Sequence, residues 1–462
     1  MIITGEMMGT LYLRLYLYLD LCLHLKKSKR AVPSDTERKH ITMAVCFFGR
    51  DYKEEHKYKC EYEVLGDQIS VAVDYNIMDE IEAVNGVKSF GINTTYDNRD
   101  ILIIDQEQKV NYLLKNAYYN GVSTVYGSPD GGSKTKFKAD MFFSSKSYQA
   151  LADLKETPKI NSITIVSKDL NRLVTDSSIN MINYEDKLVI NLNKDPNGET
   201  RRIGSLNIKE ITLRDYWSGG FDKSQDLSFV ITGELEIKLI RRVNYTETPK
   251  YVYEVLVFLQ LYTKNRFKLD EIKVSIDGVR FNMMFHIRKG YIPANRKYIG
   301  QNSVQCNVME FLEKCYSHIP YRKSKSDIRN IPYIILKSDR SLEDSFLMYY
   351  RFIECYYKRQ SIPDITSQFI SYSLKNNYTR TGKTLPTEAK VLANEIITLR
   401  NHYVHSGYYI KNESLRIGCD DPGKSYTAKA DVEWICERTK ILYDCSIDII
   451  FRDMLGFENY SF

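Results

Sequence analysis

The stretch Arg400-Asn401-His402-Tyr403-Val404-His405 carries the most specific signal in this sequence, and it stands at the end of a predicted helix. Between 386 and 406, apolar residues recur at steps of three and four, which is the spacing of one buried helical face. These residues are Val391, Leu392, Ile396, Leu399 and Tyr403. Gly407 follows as a stop signal. The sequence therefore predicts a helix over 386–406 with an arginine, an asparagine and a histidine on its last turns.

The spacing of these polar residues suits one kind of chemistry. Arg400 and His405 are separated by a rise of about 7.5 Å along a helix, which a long arginine side chain can bridge toward a shared cleft. If a second copy packs across a two-fold axis, one groove holds two arginines and two histidines. Histidine transfers protons near neutral pH, and arginine offers a fork of donors to a phosphorane. Such a groove suits attack by an RNA 2′-hydroxyl on its own phosphodiester, without a metal, leaving a 2′,3′-cyclic phosphate and a 5′-hydroxyl. Asn401 would orient a phosphate oxygen or hold the arginine.

The same residues have a plainer interpretation. Basic side chains at a helix end complement the helix dipole, and an arginine followed by a histidine at this distance is common. The pattern alone leaves both interpretations open.

A family resemblance favours catalysis. The stretch from Leu399 to Gly407 resembles the RNxxxH signature of HEPN domains, and its wording is most similar to the Apea-like branch. The resemblance to this family covers roughly residues 300–460. Predicted helices at 341–358, 363–376 and 428–455 surround the motif helix in the expected order. The resemblance implies that this region folds as an all-α bundle and forms a homodimer. It also implies that the protein is a ribonuclease used in abortive-infection defence against phage. It assigns Arg400 and His405 as the catalytic pair, with Asn401 beside the arginine, and RNA, tRNA included, as the substrate.

Two further features are candidates for supporting roles. Glu354 lies on the apolar-spaced face of the 341–358 helix, where its carboxylate would hold Arg400 in a bidentate pair, although such a group is more often solvated. The basic segment at 321–327 contains Arg322, Lys323 and Lys325. It is either a solvated linker or a row of phosphate contacts that brings RNA to the helical groove.

Composition limits the remaining possibilities. The chain has 462 residues, 43% of them hydrophobic, and a net charge of +6 from 65 basic and 59 acidic groups, so RNA binding is permitted but not demanded. Its nine cysteines include no C-x-x-C pair, which is typical of a reduced cytoplasmic protein. No metal or cofactor site is indicated, and we expect no membrane association.

The sequence pattern of the N-terminal half predicts strands. Short β-branched runs at 68–73, 101–104, 162–166, 188–192 and 235–239 are separated by turn dipeptides. Asn197-Gly198 and Asp277-Gly278 predict hairpins, the first between the 188–192 run and Ile203. The expected fold is α+β: an antiparallel β-sandwich-like domain at 43–295, a connection at 296–340 and a HEPN helical domain at 341–462. By resemblance, the β-rich domain would sense a phage-derived trigger.

The first 42 residues read differently from the rest. Leucine alternates with polar residues from Leu11 to Leu25, a low-complexity pattern too polar for a membrane-spanning helix. We expect translation to begin at Met43 and residues 1–42 to be dispensable or disordered.

Two classes of function follow from the sequence. The first is a HEPN endoribonuclease restrained or triggered by its β-rich domain. The second is a non-catalytic sensor or dimerisation protein with a ligand- or protein-binding β domain, in which Arg400 only packs.

Overall fold

The structure is a computed structural model. It describes residues 2–4, 42–48, 57–65, 68–74, 99–105, 107–124, 133–174, 179–183, 187–192, 198–221, 227–263, 269–285, 303–323, 341–358, 370, 373–375, 389–406, 413–418 and 424–460. The chain forms two compact units that are interleaved in sequence. Unit 1 comprises Met1–Thr200, Glu210–Pro249 and Lys268–Ile287, and unit 2 comprises Arg201–Lys209, Lys250–Phe267 and Arg288–Phe462.

Strands dominate the first part of the chain. They are β1 Ile2–Thr4, β2 Thr42–Phe48, β3 Lys57–Leu65, β4 Gln68–Val73, β5 Arg99–Asp105, β6 Val110–Thr124, β7 Ser133–Ala139, β8 Met141–Ser145, β9 Lys159–Ser167, β10 Ile179–Asn183, β11 Lys187–Leu192, β12 Glu199–Ser205, β13 Ile208–Phe221, β14 Leu227–Asn244, β15 Glu271–Ile276 and β16 Val279–Phe285. The short helix α1, Tyr148–Ala152, and 3₁₀ turns at Leu170–Leu173 and Tyr245–Glu247 connect them.

Six of these strands close into a barrel. Their order is β6-β5-β2-β3-β4-β7, and β7 pairs with β6 again. On β4, Ile69, Val71 and Val73 are buried and the residues between them are half-buried, because successive side chains of a strand point to opposite faces. These side chains belong to one core cluster with residues of the other barrel strands, among them Cys46, Cys60, Tyr62, Ile101, Ile103, Leu114 and Phe137.

The long strand β6 makes the closure possible. Its first half pairs with β8 through Asn111–Leu114, and its second half pairs with β7 through Tyr118–Thr124. The ladder shifts register near Asn116, which has φ 52°, and again before Gly121, which has φ 116°. Such bulges bend a strand and increase its twist. The bend lets one strand continue the open sheet and also complete the barrel.

The predicted β-sandwich is therefore wrong. The sheet curls into a barrel and continues from β8 through β16, β15, β9, β14, β13 and β12, instead of splitting into two stacked layers. Strand composition was the same for both architectures, so it could not separate them.

The two predicted hairpins have opposite outcomes. The turn at Asp277 and Gly278 is confirmed: β15 and β16 pair across it, and both residues have positive φ, as a tight primed turn requires. The hairpin across Asn197-Gly198 is wrong, because β11 pairs with β10 and β1 whereas β12 pairs with β13.

The N-terminal segment is described only in part. Ile2–Thr4 pairs with β11 as an antiparallel strand, and β2 begins at Thr42, one residue before the proposed start. Residues 5–41 lie outside the described residues, and the dispensability of 1–42 stays a prediction.

Helices dominate the last part of the chain. They are α2 Thr248–Thr263, α3 Val308–Ser317, α4 Ile319–Lys323, α5 Leu342–Lys358, α6 Ala389–Ser406 and α7 Val432–Asp448, followed by a π-helical turn at Ile449–Met454. A hairpin of β17 Glu413–Gly418 and β18 Ser425–Ala430 lies between α6 and α7. The expected all-α bundle is therefore wrong, because this region contains a β-hairpin. The closing helix begins at Val432 instead of 428. Most of the predicted 363–376 helix lies outside the described residues.

The core of unit 2 forms around α2. The Phe258 ring contacts the rings of Tyr316 and Tyr321 at centroid distances of 5.0 and 5.3 Å. The Tyr321 hydroxyl donates to the buried carboxylate of Glu254. Ser205, from the Arg201–Lys209 segment, donates to the Tyr316 carbonyl at 2.7 Å. These contacts explain why a β-hairpin tip belongs to this unit.

The C-terminal segment is fixed by one close contact. His318 Nδ1 lies 2.8 Å from the Met454 carbonyl, and its ring covers Gly456, which has φ 74°. Beyond it, Phe457 stacks on Phe311 at 4.9 Å. Only glycine combines this backbone conformation with this proximity.

We expect Gly456→Ala to destabilise unit 2 by about 1–3 kcal/mol. A Cβ there would lie 2.5 Å from the His318 ring and would also strain the backbone. Thermal unfolding measures the effect. Gly418→Ala is the matched control, because a Cβ at Gly418 meets nothing within 4 Å. Equal shifts in the two variants would contradict the close contact.

Candidate functional site

The motif occupies the C-terminal end of α6. Along this helix Leu392, Ile396, Leu399 and Tyr403 are buried at steps of three and four, as the periodicity predicted. The helix over 389–406 is therefore confirmed, whereas 386–388 and Gly407 lie outside the described residues. This burial sets the orientation of the motif residues: Tyr403 faces the core, and its polar neighbours do not.

Arg400 is held by two contacts within its own unit. Its guanidinium lies 5.7 Å from the Tyr350 ring centroid on α5, and its Nη1 donates to Asn401 Oδ1 at 2.9 Å. The Phe346 ring meets Tyr403 edge-on at 5.5 Å one turn earlier on α5, so the two helices run antiparallel here. The cation–π contact and the hydrogen bond limit the positions that Arg400 can adopt.

His405 lies on the exposed side of the helix. Asn401, Val404 and His405 are all exposed, and Asn401 and His405 share one face because they are four residues apart. Arg400 lies about 140° around the helix from His405. Among the described residues, no contact joins Arg400 to His405. Within one protomer the two side chains therefore do not lie side by side.

Glu354 is half-buried and lies four residues beyond Tyr350 on α5. Tyr350 is the residue that Arg400 covers, and helical side chains lean toward the N-terminus of their own helix. Glu354 therefore lies one helical turn from the ring that Arg400 covers, on the same face of α5. The pairing of Glu354 with Arg400 stays a prediction.

A buried ion pair fixes α6 against its neighbours. Arg438 on α7 donates from Nη2 and Nε to Glu395 Oε2 at 2.8 and 3.1 Å, and both residues are less than a tenth exposed. Tyr426 on β18 donates to Glu395 Oε1 at 2.7 Å. The Trp434 ring lies 4.3 Å from the Arg438 guanidinium. One carboxylate thus joins three elements and sets the rotation of the motif helix.

The sequence prediction missed this network and the β17–β18 hairpin. Asn394 Nδ2 donates to the Gly418 carbonyl at 3.2 Å, and Leu415 and Ile417 are buried beneath the hairpin. A signal for the hairpin is present in the sequence: alternating apolar residues at 413–418 and 425–430 flank a Pro422-Gly423 turn. The predicted helix from 428 wrongly included the last three residues of β18.

Tyr403 has a buried hydroxyl without a hydrogen-bond partner among the described residues. Burial raises the pKa of this phenol well above its usual range, and Glu343 and Cys436 raise it further. The group is therefore neutral at physiological pH. Glu343 lies on the first turn of α5 and Cys436 on the second turn of α7.

We expect Tyr403→Phe to raise stability by about 1 kcal/mol, because an unsatisfied buried hydroxyl is costly. Urea unfolding of the variant and the wild type gives the difference. Phe346→Leu is the comparison for lost ring packing and should be destabilising. A loss of stability in Tyr403→Phe would show that the hydroxyl has a partner.

The basic segment is described only at its start. Arg322 and Lys323 are exposed on α4, and Lys325 lies outside the described residues. Their role as phosphate contacts stays a prediction.

Three further findings concern metal binding, membrane spans and known relatives. No group of three or more His, Cys, Asp or Glu side chains has metal-binding geometry in the described part of the chain. Within the same residues, no helix has the length and apolar character needed to cross a membrane. No protein-family model, no curated protein and no solved structure matches the chain.

Proposed function

We propose that the chain is a metal-independent endoribonuclease of the HEPN type. The observation that carries the proposal is the RNxxxH motif at the exposed end of a helix whose rotation is fixed by a buried ion pair. Arg400, Asn401 and His405 are all accessible there. The likeness to HEPN domains rests on this motif and on the neighbouring helices.

The proposed reaction uses the substrate's own nucleophile. Neutral His405 accepts the proton of the ribose 2′-hydroxyl as the oxygen attacks the adjacent phosphorus. Arg400 donates hydrogen bonds to the phosphorane, whose charge is largest in the transition state. The 5′-oxygen leaves with a proton from a second imidazole, which gives a 2′,3′-cyclic phosphate and a 5′-hydroxyl. Asn401 keeps the guanidinium in place through the contact described above.

The second imidazole comes from a second copy of the chain. Val404 is 52% exposed between Asn401 and His405, so this position offers an apolar side chain to a second copy. A two-fold contact here brings the same patch of both protomers together and supplies two arginines and two histidines to one groove. The homodimer is part of the proposal, and its expected sign is a cleavage rate per protomer that rises with protein concentration.

The biological setting follows from the same likeness. We place the enzyme in the cytoplasm, where it cleaves RNA such as tRNA during abortive-infection defence, with the β-rich unit sensing a phage-derived trigger. Purified protein incubated with RNA in EDTA tests the activity, and the end groups of the products test the mechanism. If the resting protein is inactive, growth arrest after phage challenge of cells expressing the wild type, but not His405→Ala, is the corresponding readout.

One observation favours the second class of function. The two contacts that Arg400 makes with described residues lie within its own unit, which is how an arginine packs when its role is structural. In a non-catalytic dimerisation protein, Arg400→Ala would lower stability and His405→Ala would change nothing.

A further inference from the structure

The β17–β18 hairpin presents a basic, hydroxyl-rich face to solvent. The register pairs Ser414 with Lys429 and Arg416 with Thr427, and Ser425 lies opposite Gly418. All five of these side chains are exposed, while Leu415, Ile417 and Ala430 on the other side are buried. We call Ser414, Arg416, Ser425, Thr427 and Lys429 the hairpin face.

The hairpin face lies beside the motif. The strand β17 spans about 16 Å, the same length as the rise of α6 from Asn394 to His405. Gly418, the last residue of β17, contacts Asn394, and six residues separate the end of α6 from the start of β17. The strand β17 therefore runs back along the last turns of the motif helix. Cys436, on the second turn of α7 just after β18, influences Tyr403. The base of the hairpin is therefore at the motif end.

The charges of the hairpin face are available to an anion. Arg416 donates its Nε to Ser425 Oγ at 2.7 Å, which orients the guanidinium, and no carboxylate of the described residues pairs with Arg416 or Lys429. Of the acidic groups that follow β18, Asp431 caps α7 and Glu437 pairs with Arg438, while Glu433 is exposed on the first turn of α7. Asp420 and Asp421 stand in the 419–423 connection, outside the described residues.

We propose that the hairpin face binds the sugar–phosphate backbone of single-stranded RNA next to the cleavage site. Arg416 and Lys429 neutralise consecutive phosphates, and the hydroxyls of Ser414, Ser425 and Thr427 donate to phosphate oxygens. Such contacts hold the strand without reading its sequence. The inference rests on the proposed function for its choice of partner, but not for the existence of the basic face.

The test measures binding separately from cleavage. Full-length His405→Ala protein, which leaves RNA uncut, is titrated against a fluorescent single-stranded RNA at several salt concentrations. Adding Arg416→Gln and Lys429→Gln is expected to raise Kd at least about tenfold at physiological salt and to reduce the slope of log Kd against log salt by about 1.4. Single-stranded DNA of the same length should lose affinity by a similar factor, because the face contacts phosphates.

Two exposed charges elsewhere on unit 2 form the matched control. Arg351→Gln with Lys440→Gln removes the same charges from α5 and α7 and should change Kd less than twofold. Arg322→Glu with Lys323→Glu tests the basic segment in parallel. Equal effects of the hairpin pair and the control pair, or no effect of either, would overturn the proposal.

Failure of the inference and failure of the proposed function give different results. If wild-type protein cuts RNA while the hairpin substitutions leave Kd unchanged, the inference is wrong and the nuclease stands. If the substitutions weaken binding and wild-type protein never cuts, the hairpin face is an RNA-binding surface of a non-catalytic protein. Absence of both binding and cleavage contradicts both.

Discussion

Replacing Arg400 or His405 with alanine is expected to lower the rate of RNA cleavage in EDTA by about 10²–10⁴-fold. In the proposed mechanism, His405→Ala removes the group that transfers the proton, and Arg400→Ala removes the donors that stabilise the phosphorane. The two changes act on one transition state, so the double variant should be little slower than either single variant. Initial rates with a fluorescent RNA substrate measure all three.

The same helix supplies a control. His402→Ala makes the same substitution three residues earlier, at a position outside the proposed catalytic pair, and should leave the rate within a few-fold. Arg400→Lys separates charge from geometry, because lysine keeps the charge but loses the planar fork, and it should recover only a small part of the rate. Equal activity in His405→Ala and wild type, with both proteins folded, would exclude this mechanism.

Arg438→Ala is expected to destabilise the helical part of unit 2 by about 3–5 kcal/mol, because it leaves the Glu395 carboxylate buried with the Tyr426 hydroxyl as its one remaining partner among the described residues. Replacing both members, Glu395→Leu with Arg438→Met, removes the uncompensated charge and should cost much less than Arg438→Ala alone. Hydrogen exchange of the amides of α6 and α7 reports this loss locally, which is preferable in a chain with two compact units.

The ion pair also links stability to activity. Glu395 lies five residues before Arg400 on the same helix, so loosening Glu395 changes the rotation of the motif. Arg438→Ala should therefore reduce cleavage without touching the site. Arg351→Ala, an exposed arginine on α5, is the control and should change neither property. If the double variant Glu395→Leu with Arg438→Met were as unstable as Arg438→Ala, the two residues would not be a coupled pair.

The sequence predicted the elements whose signals are local. The motif helix was readable because its buried residues recur at helical spacing, and α5 was readable for the same reason. The turn at Asp277 and Gly278 was readable because few residues adopt positive φ. By contrast, α2 was missed, since it is apolar on nearly all sides and shows no helical period.

The features that escaped prediction depend on distant partners. The barrel closes through bulges in β6 near Asn116 and Gly121, and nothing local distinguishes such a strand from one in a sandwich. Glu395 and Arg438 are 43 residues apart, so their pairing could not be foreseen from spacing. The hairpin face became visible only when the register of β17 and β18 placed its five side chains on one side.

The most direct test uses a DNA oligonucleotide that contains a single ribonucleotide. Incubated in EDTA with the wild-type protein, it should be cut only on the 3′ side of that ribose, leaving a 2′,3′-cyclic phosphate, and His405→Ala should leave it intact. Cleavage at deoxynucleotides, or equal cleavage by His405→Ala, would contradict attack by the 2′-hydroxyl at a site formed by Arg400 and His405.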